Sequence, residues 1–204
     1  NGVNRTSSMN GLDKILQSMN VLVTGGAGFI GSHLVEYLVP RCGRVRAFLR
    51  YSSRADIGWL AELPSEVLEE VELIRGDLKD PASVRRAVKE MDTVLHLGAL
   101  IAIPYSYQNP IDFVQTNVQG TAYLLMAAMD AGIRRFVQTS TSEVYGTAQT
   151  VPMTELHPLS AQSPYAASKI GADQLALSFA RSFELPVVLL RPFNTYGPRQ
   201  TLRS

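Results

Sequence analysis

Short apolar runs alternate with longer segments in which apolar residues recur every three or four positions, from residue 20 onward. The short runs are typical of parallel strands buried on both faces, and the longer segments are typical of helices. The predicted strands are Val21–Thr24, Val45–Leu49, Val71–Ile74, Thr93–Leu97, Arg135–Thr139 and Val187–Leu190. The predicted helices are Gly28–Val39, Pro81–Glu90, Ile111–Ala131 and Tyr165–Phe183.

This alternation predicts an α/β fold with a doubly wound (Rossmann) parallel sheet flanked by helices. Right-handed crossovers favour the strand order 3-2-1-4-5-6. We expect residues 1–18, which are polar and precede Met19, to be a tag, a linker or a loose extension, with a short helix around Leu12–Leu16 as the alternative. We expect residues 19–204 to form one domain, and a further C-terminal substrate domain to be largely absent from this chain.

The composition narrows the classes of partner. Of 204 residues, 46% are hydrophobic, which is enough for a substantial core. Nineteen Lys and Arg residues against eighteen Asp and Glu residues leave a net charge of +1, so we expect no nucleic acid and no membrane surface as a partner. Cys42 has no second cysteine to pair with, and three scattered histidines favour no metal site. Because no long apolar stretch is present, we expect a cytoplasmic protein.

A glycine-rich turn follows the first predicted strand and opens the first long helix. Its sequence, Thr24–Gly31, reads TGGAGFIG and spaces Gly25, Gly28 and Gly31 three residues apart. The first glycine permits a tight turn, the second lets the backbone approach a pyrophosphate, and the third lets helix and strand pack closely. Phe29 and Ile30 begin the helix, whose free amides and positive dipole end favour phosphate. The turn therefore predicts a dinucleotide-binding domain.

The end of the second predicted strand bears on the choice between NAD and NADP. An NAD site usually carries an acidic residue about twenty positions after the glycines. The sequence here, Phe48–Arg54, has no carboxylate, and Arg50 is suited to a 2′-phosphate. NADP is therefore slightly favoured over NAD, and a solvated basic loop is the alternative. Asp77 is placed to accept a hydrogen bond from adenine or to cap the next helix, for which Asp80 is the stronger candidate.

A tyrosine and a lysine form the centre of the predicted catalytic site. Tyr165 and Lys169 are four residues apart, so they share one face of a helix. The lysine cation is expected to lower the tyrosine pKa, which would make the phenol a better proton acceptor. Upstream, Thr141, Ser142 and Glu143 follow the fifth predicted strand, at the carboxyl edge of the sheet where ligands bind in such folds.

From Val21 to Arg199 the sequence resembles the extended short-chain dehydrogenase/reductases that modify nucleotide sugars. The resemblance rests on the glycine turn, on Thr116–Thr121 (TNVQGT), on Ser163–Tyr165 with Lys169, and on Arg191–Pro198 (RPFNTYGP). It implies a dinucleotide cofactor and a nucleotide-diphosphate sugar as substrate. The predicted cofactor site also includes Leu78, Leu97, Ala99 and Pro192, and Asn194 and Arg199 match positions that approach the sugar nucleotide in this family.

Within the family, Thr141, Ser142 and Glu143 match the triplet of the sugar 4,6-dehydratases. The resemblance implies oxidation at C4 by hydride transfer to the nicotinamide, loss of water across C5 and C6, and return of the hydride to C6. Glu143 would take the C5 proton, Tyr165 the proton of the C4 hydroxyl, and Thr141 would orient that hydroxyl. Lys169 would hold the tyrosine and the nicotinamide ribose. Ser142 is a poor acid, which leaves the proton donor to the C6 hydroxyl open between Glu143 and a water.

Several alternatives remain at this point. UDP-glucuronate decarboxylases carry a similar triplet, 4-epimerases share the same scaffold, and a noncatalytic dinucleotide-binding module would need no acid or base. The sequence around Arg50–Arg54 and Gly58–Leu60 most resembles bacterial dehydratases of UDP-N-acetylhexosamines. Spare apolar faces on the helices Ile111–Ala131 and Tyr165–Phe183 predict a homodimer. We expect purely structural roles for Asn117, which would brace the catalytic helix, and for His96, a hydrogen-bonded edge residue.

Overall fold

The computed structural model describes residues 11–201, which contain a six-stranded parallel sheet. The strands are ordered β3-β2-β1-β4-β5-β6, as the sequence predicts. Their observed ends differ from the predicted ones by at most two residues. The strands are β1 (Asn20–Thr24), β2 (Arg44–Arg50), β3 (Val71–Gly76), β4 (Thr93–His96), β5 (Arg135–Thr139) and β6 (Val187–Leu190).

Helices cover the sheet and enclose two apolar cores, one on each face. One core joins Leu22 and Phe136 of the sheet to Leu124, and the other joins Val23 to Val35 and Leu60. The helices are α1 (Gly11–Gln17), α2 (Phe29–Leu38), α3 (Ser65–Leu68), α4 (Pro81–Val88), α5 (Ile103–Gln108), α6 (Pro110–Phe113), α7 (Gly120–Asp130) and α8 (Pro164–Phe183). Two 3-10 segments, Gly58–Glu62 and Ser142–Tyr145, lie in the connections.

The sequence predicts one long helix over Ile111–Ala131, and this prediction is wrong in one respect. The segment consists of α6, a π-helical stretch at Val114–Gln119, and α7. Asn117 lies in the π-helical stretch, where its carbonyl accepts a hydrogen bond from the hydroxyl of Thr121 at 2.6 Å. A single π-helical turn hardly alters the spacing of apolar residues, so the sequence pattern does not reveal it.

The structure describes the second part of the N-terminal segment. The short helix held as the alternative around Leu12–Leu16 is present as α1. The first ten residues of the predicted tag, linker or extension lie outside the described residues. Within residues 11–201, no helix is long and apolar enough to cross a membrane.

Strand β6 lies at one end of the sheet order and pairs with β5. Its side chains alternate between the two faces. Val187 and Leu189 pack against the core that contains α8, whereas Val188 and Leu190 point to the other face and are 40% and 52% exposed. One face of this strand is therefore apolar and accessible to solvent.

Candidate functional site

The glycine turn has the geometry that the sequence predicts. Gly25 follows β1 with a φ of +70°, and a Cβ atom there would lie 2.8 Å from the amide nitrogen of Gly98. A side chain at Gly31 would collide with the carbonyl of Gly25. Only glycine satisfies both positions without displacing backbone atoms. The turn therefore brings the start of α2 close to β1 and leaves its first amides free for an anion.

A cavity of about 490 Å³ opens beside this turn at the carboxyl edge of the sheet. Among the residues predicted for the cofactor, Gly25, Gly28, Arg50, Asp77, Leu78 and Ala99 line it. The glycine turn at one wall of this cavity suits a dinucleotide, whose pyrophosphate would lie against the glycines. The predicted residues Phe29, Ile30, Gly31, Leu97, Pro192, Tyr165 and Lys169 are outside the lining of this cavity.

Sequence reasoning missed a loop that contributes to the same cavity. Asp56 and Gly58 line it, and the Asp56 carboxylate accepts a hydrogen bond from the Gly58 amide at 2.7 Å. The amide of Trp59 in turn donates to the carbonyl of Ala27 in the glycine turn at 3.0 Å. The positive φ of Gly58, +57°, and the lack of room for a Cβ beside Ala27 explain why glycine is required. The loop thus supplies a carboxylate that the end of β2 lacks.

An ion pair at the rim of the cavity was also not foreseen. Lys79, after β3, and Asp112, in α6, both line the cavity, and their charged groups are 3.0 Å apart. The hydrogen bond that Lys79 donates to Asp112 raises the pKa of Lys79, so the lysine stays charged. Oppositely charged residues 33 positions apart give no local sequence signal, because only the fold brings them together.

The structure brings Thr141 and Tyr165 together, and it places Lys169 one turn along α8. The hydroxyl of Thr141 lies near enough to the phenol of Tyr165 to lower its pKa. The ammonium of Lys169 donates to the main-chain carbonyl of Thr139 at 2.7 Å. Both helical side chains are buried, at 7% and 5% exposure.

The expected effect of Lys169 on Tyr165 is wrong for this structure. Burial raises the pKa of Tyr165, the hydroxyl of Thr141 opposes that rise, and the charge of Glu143 adds to it. Burial also lowers the pKa of Lys169 to about 8, although the nearby Asp173 opposes this shift. Desolvation therefore dominates both groups, and Tyr165 is a protonated phenol at neutral pH.

The triplet after β5 forms the start of the 3-10 segment. Thr141 caps this segment, since its hydroxyl accepts a hydrogen bond from the amide of Glu143 at 3.3 Å. The amide of Ser142 donates to the carbonyl of Pro192 at 3.2 Å, which joins the predicted catalytic and cofactor segments through the backbone. The Glu143 side chain is exposed, and its carboxylate is therefore free to meet a ligand at this edge.

Buried polar contacts hold α8 against the sheet. Asp173, which has no exposed surface, accepts hydrogen bonds from Ser140 at 2.7 Å and from Arg191 at 3.2 Å. Arg191 also donates to the hydroxyl of Tyr145, a buried residue. Burial raises the pKa of Asp173, and its partners Ser140 and Arg191 oppose that rise. These contacts fix the end of β6 relative to the catalytic helix.

The two residues expected to be structural make the buried polar contacts that were predicted. Asn117 braces the catalytic helix: its amide donates to the hydroxyl of Ser168 at 2.9 Å and bonds to the backbone of Leu100. His96 is hydrogen-bonded at the end of β4, and it is 2% exposed.

The two predicted substrate residues lie in the segment after β6. Asn194 is exposed. Arg199 forms an ion pair with Glu36 of α2 at 2.7 Å, and its guanidinium also lies 3.4 Å from Nδ1 of His33. In this structure Arg199 therefore fastens its segment to α2, whose first turn belongs to the predicted pyrophosphate site.

The chain is similar to known proteins over most of its length. A family model described as GDP-mannose 4,6 dehydratase matches residues 22–204. This chain belongs to the NAD-dependent epimerase/dehydratase family, the extended short-chain dehydrogenase/reductases. The family resemblance seen in the sequence is thereby confirmed.

Members of this family with assigned names and solved structures are similar to the chain. A dTDP-glucose 4,6-dehydratase of Streptomyces antibioticus is 41% identical over 186 residues, which cover 89% of this chain and 55% of that protein. The crystal structure of a dTDP-glucose 4,6-dehydratase from Streptomyces venezuelae with NAD bound matches with a TM-score of 0.78 and 38% identity, covering 89% of this chain and 58% of that one.

A UDP-N-acetylglucosamine 4-epimerase from Methanobrevibacter ruminantium M1, in complex with UDP-N-acetylmuramic acid, matches with a TM-score of 0.83 and 36% identity. The match covers 92% of this chain and 59% of that one. The chain thus spans somewhat more than half the length of these family members. NAD, and not NADP, is the cofactor named for the Streptomyces venezuelae structure, so the slight preference for NADP finds no support there.

Proposed function

We propose that this chain forms the cofactor-binding and catalytic part of a nucleotide-sugar 4,6-dehydratase. The observation that carries the proposal is the grouping of Thr141, Tyr165 and the exposed Glu143 at the carboxyl edge of a sheet whose glycine turn fits a dinucleotide. A binding module would need neither a carboxylate nor a buried phenol there. The similarity to named dehydratases supports the same reading.

Tyr165 and Glu143 would carry out separate proton transfers in the reaction. The dinucleotide, when bound, supplies a reversible two-electron oxidant. Tyr165 would take the proton of the C4 hydroxyl, while Thr141, which lies near its phenol, would orient that hydroxyl. Glu143 would take the proton at C5, which becomes acidic once C4 is a ketone. The C6 hydroxyl would leave as water with a proton from Glu143 or a water, and return of the hydride to C6 and of a proton to C5 would restore the oxidised dinucleotide. Lys169, whose ammonium donates to the carbonyl of Thr139, would hold the ribose of the nicotinamide.

Because the pKa of Tyr165 is raised, we expect the rate of this reaction to depend on pH. Its proton must leave before the phenol can act as a base, and burial opposes that loss. The rate at limiting sugar concentration should therefore rise with pH above neutrality. Loss of the Lys169 charge above about pH 8 should reduce the gain.

The proposed cofactor is NAD or NADP. Asp56 in the cavity is suited to accept hydrogen bonds from the ribose hydroxyls of NAD, whereas Arg50 is suited to a 2′-phosphate. Both side chains line the same cavity, so the two cofactors remain direct competitors for one site. The proposed substrate is a nucleotide-diphosphate sugar, and a UDP-N-acetylhexosamine is the candidate that the sequence around Arg50 suggests.

Mass spectrometry of a nucleotide-sugar panel tests the proposed reaction. The protein is incubated with NAD or NADP and with UDP-N-acetylglucosamine, dTDP-glucose, GDP-mannose or UDP-glucuronate. Loss of one water is the expected result. Loss of carbon dioxide would instead assign a decarboxylase, an isomer of unchanged mass would assign an epimerase, and an unchanged panel in the presence of bound cofactor would favour a noncatalytic module.

Two pairs of variants test the proposed roles of Tyr165 and Glu143. Tyr165→Phe should lower the rate by about two to four orders of magnitude, whereas Tyr123→Phe, which removes a surface phenol of α7, should leave it unchanged. Glu143→Gln should allow oxidation at C4 but stop the loss of water, and the exposed Glu66 of α3 offers a matched Gln control. Equal activity in Glu143→Gln and the wild type would remove Glu143 from the mechanism.

We also propose a homodimer, on the ground of exposed apolar side chains along one helical region. Ile111 and Val114 are 65% and 50% exposed, and Met126 and Met129 of α7 are 50% and 37% exposed. A second copy would cover such a surface. Sedimentation at micromolar concentration tests this, and a monomer throughout would contradict it.

A further inference from the structure

A chain of buried hydrogen bonds starts beside the glycine turn and crosses the sheet. The amide of Gly98 donates to the hydroxyl of Thr24 at 3.0 Å, and that hydroxyl lies 2.7 Å from Nδ1 of His96. On the other side of the ring, Nε2 of His96 lies 3.0 Å from the hydroxyl of Thr121 in α7. His96 and both threonines are at most 2% exposed.

Only one placement of the protons satisfies all of these hydrogen bonds. Thr121 donates its hydroxyl proton to the carbonyl of Asn117, so its oxygen accepts from Nε2–H of His96. Nδ1 then has no proton and accepts from Thr24. This arrangement requires a neutral imidazole. Burial, together with the charge of Lys169, lowers the pKa of His96 to about 3, which keeps the ring neutral.

The chain continues from Asn117 to the catalytic helix. The side-chain amide of Asn117 donates to the hydroxyl of Ser168 at 2.9 Å, and that hydroxyl donates to the carbonyl of Tyr165 at 2.7 Å. Asn117 lies in the π-helical stretch, a geometry that is rare and occurs frequently at functional sites. The two ends of the chain are therefore Gly98, which contacts the glycine turn, and the first turn of α8.

Packing alone does not require this polar chain. Valine has nearly the shape of threonine and would fill the same space without a hydroxyl to desolvate. Buried polar groups are costly unless every member is satisfied, and a satisfied network fixes one arrangement of the elements that it joins. Each hydrogen bond of this chain has both its donor and its acceptor, and the elements joined are the proposed cofactor turn and the proposed catalytic helix.

We propose that His96 is a positioning residue that couples occupancy of the cofactor cavity at Gly25 and Gly98 to the placement of Tyr165. The proposal rests on the proposed function for the meaning of its two ends. It predicts that cofactor binding tightens the first turn of α8, through Thr121, Asn117 and Ser168, before any sugar is present. Coupling of this kind is reciprocal, so breaking the chain should also weaken cofactor binding.

The chain offers a matched pair of variants to test this. Thr121→Val removes the link to His96, whereas Thr93→Val removes a buried hydroxyl of β4 that has no hydrogen-bond partner. Both replace a buried threonine with an isosteric residue. Thr121→Ser keeps the hydroxyl and should restore the wild-type behaviour. Ser168→Ala, which removes a later link with little loss of volume, serves if Thr121→Val does not fold.

Hydrogen exchange with and without NAD(P) is measured first, because it needs no sugar and no turnover. Cofactor should protect the amides of residues 165–171 in the wild type, Thr93→Val and Thr121→Ser, but not in Thr121→Val. Equal protection in Thr121→Val, or no protection in the wild type despite measured cofactor binding, would overturn the coupling alone. Failure of the wild type to bind either cofactor would overturn the proposed function and the coupling with it.

Turnover then separates positioning from stability. Thr121→Val should lower kcat by about tenfold or more with little change in the KM of the sugar, because the loss is in the placement of Tyr165. Thr93→Val should leave both constants unchanged. A fall in melting temperature with kcat unchanged would show that the chain serves stability only.

Discussion

Lys169 donates a hydrogen bond from its ammonium to the carbonyl of Thr139, the last residue of β5, at 2.7 Å. The contact joins the carboxyl end of β5 to α8 and leaves the lysine 5% exposed. A charge in this position costs desolvation energy, and burial accordingly lowers the pKa of Lys169 to about 8 from its ordinary 10.5.

Stability should therefore rise with pH in the alkaline range. Between about pH 8 and 10.5 the unfolded chain keeps the Lys169 proton while the folded chain releases it, so the unfolded state binds more protons. Across that range the folded protein should gain about 3 kcal/mol relative to Lys169→Met, which cannot titrate. Urea unfolding of both proteins at several pH values measures the difference. Parallel stability curves would contradict the lowered pKa.

Asp80 should stabilise α4 in a pH-dependent way. Its carboxylate caps the helix by accepting from the amides of Ala82 and Ser83. The bond from Ala82 is the main cause that lowers the pKa of Asp80 below 3.8. Asp80→Ala should reduce the melting temperature at neutral pH, and the charge-dependent part of this loss should disappear as the pH falls through the lowered pKa. Asp80→Asn, which caps without a charge, is the control.

Arg50 and Asp56 should have opposite effects on cofactor choice. Arg50→Ala should weaken NADP binding by about tenfold and leave NAD binding almost unchanged, since only NADP presents a 2′-phosphate. Asp56→Asn should weaken NAD preferentially. Titration of each cofactor by tryptophan fluorescence or calorimetry measures both ratios. Arg54→Ala is a control in the same exposed loop, because Arg54 is outside the cavity lining. An unchanged NADP-to-NAD ratio in Arg50→Ala would exclude the phosphate role.

The Arg199–Glu36 ion pair should hold the segment after β6 on α2. The two side chains are 11% and 36% exposed, so the pair is partly screened and is worth about 0.5–1 kcal/mol. Glu36→Gln should lower the unfolding free energy by that amount, and the exchange Glu36→Arg with Arg199→Glu should recover most of it. If Arg199 instead binds the sugar nucleotide, the exchanged pair will restore stability but the KM of the sugar nucleotide will stay raised.

The strands and the glycine turn were predictable because their signals are local. A strand that is buried on both faces appears in the sequence as a run of apolar residues. The positive φ of Gly25 can be anticipated from the turn that it must make. Asp80 before Pro81 is likewise a local cap signal, and the structure confirms it. The predicted catalytic residues Thr141 and Tyr165 meet because parallel order brings the end of β5 to the start of α8.

Contacts between distant residues escaped prediction. Asp56 enters the cofactor cavity only because Gly58 docks its loop on Ala27, and Lys79 meets Asp112 only through the fold. The tyrosine pKa was misjudged because a spacing of four residues gives proximity but not burial, and burial dominates the shift here. The partners of His96 also come from the fold, because a short strand pattern does not reveal that two threonines satisfy its ring from opposite sides.

The uncovered face of β6 affects how this polypeptide should behave at high concentration. Val188 and Leu190 expose neighbouring aliphatic side chains on β6, the last strand in the sheet order. Exposed apolar side chains on a terminal strand favour self-association and precipitation. The same face is therefore a suitable position for solubility engineering. A lysine at position 188 would interrupt the patch without touching the buried residues that face α8.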